Sequence, residues 1–188
     1  VRPLIFLLLF IALAPADSFA VGTPPRGMFL DVSGNKRTDF VLLRSSGNAW
    51  MWNVLRNQDS SPDVITSFTY GGVNDQITPG NYFDTIKTQI SVYRNSQATF
   101  FESLFTDGMT SVQFPILTPW GRAGDNARFT GDYDGDKKDD HTVLRYEAST
   151  GLFYWHIKGS TGVNRTMLFG SNNSDTYEFA FRGADYNG

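Results

Sequence analysis

Cysteine is absent from the 188-residue sequence, which excludes disulfide scaffolds, thiolate metal sites, cysteine nucleophiles and thiol redox chemistry. Only two histidines, His141 and His156, remain to serve other site chemistries. Glutamate is nearly missing as well, with three Glu beside sixteen Asp, so the acidity is weighted to the shorter carboxylate. Positive charge is not in excess: the formal net charge is −3, and no basic surface for nucleic acid is implied. What the chain does contain is 40% hydrophobic and 15% aromatic residues, a composition that argues against disorder and for a folded product.

The one long apolar run, residues 4–13, follows Arg2 and precedes Pro15-Ala16-Asp17 and Ser18-Phe19-Ala20, whose small residues suit cleavage after Ala20. Residues 1–20 therefore read as a secretory signal. The run is shorter than the roughly 20 apolar residues that a bilayer crossing needs, so no stable membrane span is expected in the mature chain. A retained anchor is the competing reading; a lipoprotein would need a cysteine. The expected location is secreted or extracellular, with periplasmic or cell-surface retention as variants, and calcium is plentiful outside the cell.

Sliding the chain against itself reveals a repeat. The stretch from Asp31 to Arg44 aligns 50 residues later with Asn81 to Arg94, and 51 beyond that with Asp132 to Arg145; a further copy opens at Asp185. Tyr70-Gly71, Trp120-Gly121 and Phe169-Gly170 keep a similar period, as do Asp75, Asp125 and Asp175. Repeat units are accordingly set at 31–80, 81–131 and 132–184, with a truncated unit from 185, all within a domain spanning 21–188. Inside each unit the hydrophobic period is mostly two, which indicates strands. They are expected at 39–44, 49–55, 64–70 and 76–82, at 89–94, 98–104, 111–117 and 127–133, and at 141–146, 152–158, 165–169 and 176–181. Four strands per unit of about 50 residues is the proportion of a propeller blade. The fold is therefore expected to be all-β, a partial β-propeller of about three four-stranded blades plus the start of another. A closed propeller has about four to eight blades, so the chain is expected to be a fragment, one able to self-associate through exposed blade edges. The recurring Trp50, Trp52, Phe100, Phe101, Phe153 and Trp155 are read as packing between sheets, with a glycan-stacking platform as the alternative.

The start of each unit carries the chemistry. In the third, Asp132, Asp134, Asp136 and Asp140 occupy positions 1, 3, 5 and 9 of a tight loop, with the Lys138 carbonyl at position 7. Hard oxygens at this density suit Ca2+, whose flexible geometry a loop can satisfy; magnesium fits less well because it demands near-octahedral ligands. A solvated acidic turn is the bland alternative. An EF-hand does not fit, since position 12 is Val143 and position 6 is Lys137. The first unit offers a weaker set, Asp31, Ser33, Asn35 and Asp39 with the Arg37 carbonyl. The second offers Asn81, Phe83, Thr85 and Gln89 and is expected to bind nothing. Asp139 reads as solvent-facing.

The stretch Gly131-Asp132-Tyr133-Asp134-Gly135-Asp136-Lys137-Lys138-Asp139-Asp140, with the three aromatic-glycine pairs, resembles the repeats called FG-GAP or VCBS, found in integrin alpha-subunit-like propellers and many secreted bacterial proteins. The likeness covers residues 27–188. It implies blades around a central axis, calcium held in the loops between strands by Asp132, Asp134, Asp136, Asp140 and the Lys138 carbonyl, and an interaction scaffold more readily than a reaction. The functional expectation is a noncatalytic, calcium-stabilised scaffold for adhesion or for binding an extracellular protein or glycan. The alternative is the propeller portion of a secreted polysaccharide-active enzyme whose catalytic region lies on a missing segment. No catalytic constellation is identifiable; His141 and His156 are read as packed or surface residues.

Overall fold

The computed structural model describes residues 30–58, 65–83, 86–104 and 115–172. Within them the chain forms β1 (Phe40–Ser46), β2 (Ala49–Leu55), β3 (Ile65–Gly72), β4 (Gln76–Ile77), β5 (Ile90–Arg94), β6 (Thr99–Ser103), β7 (Ile116–Pro119), β8 (His141–Glu147), β9 (Leu152–Lys158) and β10 (Asn164–Ser171). They build three small antiparallel sheets, ordered β1-β2-β3, β4-β5-β6-β7 and β10-β9-β8, so the fold is all-β. The signal segment at 1–20, the strand positions 111–114 and 176–181, Thr85 and the unit from 185 lie outside the described residues. Among the described residues no helix is long and apolar enough to cross a membrane.

The hairpin at the head of each sheet follows from its turn residues. Gly47 and Asn48 alone join β1 to β2, with Gly47 at φ +60 and Ser46 opposite Ala49. One 3-10 turn, Asn95–Gln97, joins β5 to β6. Four residues join β8 to β9, closed by the Gly151 N–H donating to the Glu147 carbonyl at 2.9 Å. The third hairpin is thus two residues longer than the first, which shifts β9 and β10 in the repeat register without disturbing the loops before them.

In the first unit the expected fourth strand is shorter than its sequence suggests, and it pairs with the following unit. β4 hydrogen-bonds to β5, not to β3. The next copy, 126–131, makes no ladder with β8, and its backbone pairing is limited to isolated bridges at Asn126↔Leu144 and, just before β8, Gly131↔Asp140. The Arg128 N–H, which a continued ladder would aim at β8, is taken by Asn126 Oδ1, while the Ala127 N–H on the other side is taken by Gln76 Oε1. Among the described residues the first and third sheets show three strands each, and the strand expected at 176–181 lies outside them.

Core residues come from facing sheets. Trp52 and Val54 of β2 cluster with Ile90 and Val92 of β5, and Phe68, Tyr70, Trp50 and Phe101 pack around them. Tyr93 and Phe100 of the second sheet cluster with Val143 of β8 and with Ala127. Trp50, Trp52, Phe100 and Phe101 of the recurring aromatics therefore belong to the inter-sheet core, whereas Phe153 and Trp155 cluster with Phe129 and Leu144. Trp52 is wholly buried and its indole N–H donates to the Tyr70 carbonyl at 2.9 Å. Truncation of such a side chain costs about 3–5 kcal/mol. Trp52→Ala is therefore expected to reduce the unfolding free energy in urea by about that amount, and a loss below about 1 kcal/mol would contradict this packing.

Candidate metal centre

Three loops share one frame. In each, the N–H of position 9 donates to the carbonyl of the residue before position 1: Asp39 to Leu30 at 3.0 Å, Gln89 to Gly80 at 2.7 Å and Asp140 to Gly131 at 2.7 Å. The side chain at position 9 then reaches back and accepts N–H bonds from the start of the loop. Asp39 takes Ser33 at 2.9 Å, Gln89 takes Tyr82 and Phe83, and Asp140 takes Tyr133 at 2.8 Å. The position 1 carboxylate collects the middle of the loop. Asp31 accepts from Gly34, Asn35 and Lys36 at 2.7, 3.0 and 2.6 Å, and Asp132 from Gly135 and Lys137 at 2.7 and 2.8 Å.

This wrapping bends the backbone into the left-handed region twice. At position 4 glycine supplies it, Gly34 at φ +77 and Gly135 at φ +84. At position 6 a lysine does so, Lys36 at φ +66 and Lys137 at φ +75. A side chain there costs about 1–2 kcal/mol, a strain held by the N–H bond each lysine gives to the position 1 carboxylate. The lysines that argue against an EF-hand in sequence thus adopt the conformation for which glycine would ordinarily be chosen.

In the third loop carboxylate oxygens of Asp132, Asp134 and Asp136 all lie within 4.8 Å of one another, and the cluster can hold a metal ion. The turn after β9 caps it. Thr161 Oγ1 donates to Asp134 Oδ2 at 2.6 Å, Ser160 Oγ donates to Asp136 Oδ2, and the Ser160 N–H donates to Asp140 Oδ1 at 2.8 Å. Asp140 is fully buried, and Lys138 joins the network through its N–H to Asp136 Oδ1 at 2.8 Å. Burial pushes the Asp140 carboxyl above its ordinary value against the N–H bonds from Ser160 and Tyr133, and the charges of Asp134 and Asp132 push the same way. For Asp134 burial also acts upward, but the bonds from Thr161 and Asp136 outweigh it and hold the carboxyl below its ordinary value. The donor set is all oxygen and anionic, which fits a hard divalent cation.

The first loop brings its residues together with less charge. Ser33 Oγ lies 3.4 Å from Asp31 Oδ1 and 3.3 Å from Asp39 Oδ1, so both carboxylates converge on one hydroxyl. Asn35 is turned elsewhere, its Oδ1 accepting from the Arg37 N–H at 2.9 Å and its Nδ2 donating to the Asn57 carbonyl at 2.8 Å. The Asn57 N–H caps Asp39 Oδ1 at 2.9 Å, as Ser160 caps Asp140.

In the second loop Gln89 Nε2 donates to the carbonyl of Lys87 at 2.6 Å. Lys87 is position 7, whose carbonyl was expected to face a cation in the other loops. An amide N–H therefore occupies the oxygen here. Gln89→Leu is expected to destabilise the chain by about 1–3 kcal/mol, the cost of stranding buried partners, equally with and without calcium. An effect that calcium removes would show that this loop binds the ion.

Asp139 is not solvent-facing. It is fully buried, accepts the Asn81 N–H at 2.7 Å and donates its own N–H to the Asn81 carbonyl at 2.9 Å. The Thr88 N–H makes the matching bond to the Asp31 carbonyl at 2.8 Å. Position 8 of the second and third loops is thus a hook onto position 1 of the preceding loop. Its signal was the register itself, in which Thr88 and Asp139 share a position outside the ligand set.

The aspartates Asp75 and Asp125 were visible in sequence only as landmarks. Each pairs bidentately with the arginine ending the common motif: Asp75 with Arg94 at 3.1 and 2.8 Å, Asp125 with Arg145 at 2.9 and 2.8 Å. The histidines are engaged in packing. His141 Nε2 lies 2.6 Å from Oε1 of the fully buried Glu102, and its ring stacks on Tyr82 at 4.4 Å. His156 is held below its ordinary pKa by burial and by Arg145, and its Nδ1 lies 3.0 Å from Thr166 Oγ1.

Comparison of the chain with protein-family models, curated proteins and solved structures finds no match.

Proposed function

We infer that the chain is a noncatalytic, calcium-stabilised scaffold of propeller type that works outside the cell in adhesion or in binding a protein or glycan. The observation that carries this reading is the loop repeated in three chemical versions. One gathers three carboxylates within 4.8 Å, one gathers two around a hydroxyl, and one replaces the cation by an amide donated to its own position 7 carbonyl. Such a series suits a frame whose loops need closing by charge, an ion where carboxylates repel and an internal donor where they are absent. Loops that serve as structural clasps leave the surfaces of a repeat protein for partners. Calcium is assigned to Asp132, Asp134, Asp136 and Asp140 with the Lys138 carbonyl, and more weakly to Asp31, Ser33, Asn35 and Asp39 with the Arg37 carbonyl.

Calorimetric titration with calcium tests the assignment. One strong event is expected, with a weaker second event from the first loop. Asp134→Ala should weaken the strong event by about tenfold or more, the loss of at least 1.4 kcal/mol, and Asp39→Ala only the weak one. Absence of heat with calcium, or an unchanged strong event in Asp134→Ala, would overturn it.

A further inference from the structure

The outward faces of the first and third sheets are the two complementary halves of an interface the chain already uses internally. Between the first and second sheets, Trp52, Phe68 and Tyr70 pack with Ile90 and Val92. In the repeat register Ile90 and Val92 correspond to Phe40 and Leu42 of β1. The inner pair are 0% and 1% exposed, the outer pair 62% and 73%. Val143, the third residue of the Leu42 series, is again wholly buried, against the second sheet.

The opposite half is left open on the third sheet. Trp52 lies opposite Phe68 across β2 and β3 as Trp155 lies opposite Met167 across β9 and β10. The two indoles make the same bond, to the Tyr70 carbonyl at 2.9 Å and to the Phe169 carbonyl at 3.1 Å. Trp155, Met167 and Phe169 are therefore the counterparts of Trp52, Phe68 and Tyr70, yet Phe169 is 73% exposed. Charge follows the same scheme. Asp75 with Arg94 and Asp125 with Arg145 accompany the two internal interfaces, while Arg44, at the same position in β1, has no partner among the described residues. Asp175 stands in the sequence at the matching aspartate position.

We propose that a second copy of this chain covers both faces: Phe40 and Leu42 of each copy pack on Trp155, Met167 and Phe169 of the other. Apolar patches of this kind on a soluble chain mark interaction sites. A head-to-tail contact closes into a ring when its rotation allows and otherwise grows into a filament. The three described sheets of each of two copies make six, inside the roughly four to eight blades that close a propeller. The closed two-fold dimer is thus the expected product, continuing across the copies the packing that joins sheets within one. This proposal rests on the propeller reading of the fold but not on the calcium assignment.

Light scattering after size exclusion, with native mass spectrometry, reads the outcome on the calcium-loaded chain. A dimer is expected at micromolar concentration. Leu42→Glu and Phe169→Glu should each give monomers of unchanged far-ultraviolet circular dichroism, and mixing the two should restore a dimer through the one intact contact. A monomeric parent chain, an open series of growing oligomers, or a dimer indifferent to Phe169→Glu would overturn the proposal; so would a mixture that stays monomeric. Calcium titration of the monomeric variants keeps the two readings apart, because retained binding with no dimer in the parent chain refutes the assembly alone.

Discussion

Removing calcium with a chelator is expected to lower the melting temperature by about 10 °C. At a thousandfold excess over its dissociation constant, an ion bound only to the folded state contributes about 4 kcal/mol, and each kcal/mol moves the midpoint of a chain this size by about 2–4 °C. The physical origin is the crowding of Asp132, Asp134 and Asp136, which only hydroxyl and N–H donors offset in the ion-free loop. Excess calcium should restore the midpoint, and equimolar magnesium should restore less, because near-octahedral geometry is a poor match for a flexible loop. The acid response should differ between states. Asp140, whose carboxyl is raised in the ion-free fold, contributes stability present at low pH and lost as pH rises through its raised value. Asp134, whose carboxyl is depressed, contributes stability present above its unfolded value and lost as pH falls through the depressed one. Calcium needs both ionised, so its stabilisation should shrink on acidification first through the range where Asp140 titrates. A melting temperature indifferent to chelation at neutral pH would sink the structural role of the ion.

Much of this was legible from spacing alone. Period-two patterning located the main hairpins because each strand packs one face on a neighbouring sheet, and the 50-residue period survived because each loop is built from the same hydrogen bonds. The acidic cluster was readable because its ligands are local in sequence. Three features were not. Asp139 lies among carboxylates and looks like one more surface charge, yet its partner Asn81 is 58 residues away. Gln89 looked like a lost ligand, whereas its Nε2 donates to the carbonyl of Lys87, a role visible only once that carbonyl is placed. The fourth strands were overextended because apolar residues such as Ala127 and Phe129 belong to the core while the local N–H donors bond to side chains. Sequence period reports which face is buried; it does not report where each backbone donor goes.

Asp125→Ala is expected to be the most damaging single substitution outside the apolar core, costing about 3–5 kcal/mol, the range for removing one partner of a buried charge pair. Asp125 is almost wholly buried and holds three things at once. Its carboxylate accepts Nε and Nη2 of Arg145, and the Arg122 N–H at 2.8 Å, while its backbone N–H closes the turn onto the Arg122 carbonyl at 3.2 Å. Truncation leaves the Arg145 guanidinium, itself largely covered, without its counter-charge and frees the turn that carries the chain from the second sheet to the third. Asp125→Asn should cost less, since it keeps the side-chain shape and one acceptor but loses the charge-assisted fork. Asp75→Ala should be milder than Asp125→Ala, because Arg94 is more exposed than Arg145 and can be rehydrated. Urea unfolding of the three variants at neutral pH and saturating calcium gives the order directly, and it should persist in chelator because no ligand is touched. Equal losses at Asp75 and Asp125 would show that burial of the arginine does not set the cost. Were Asp125→Ala to lose less than about 1 kcal/mol, the pair would contribute no more than an exposed ion pair does, and the join between the sheets would rest on the packing of Tyr93, Phe100 and Val143 and on the Asp139–Asn81 and His141–Glu102 contacts.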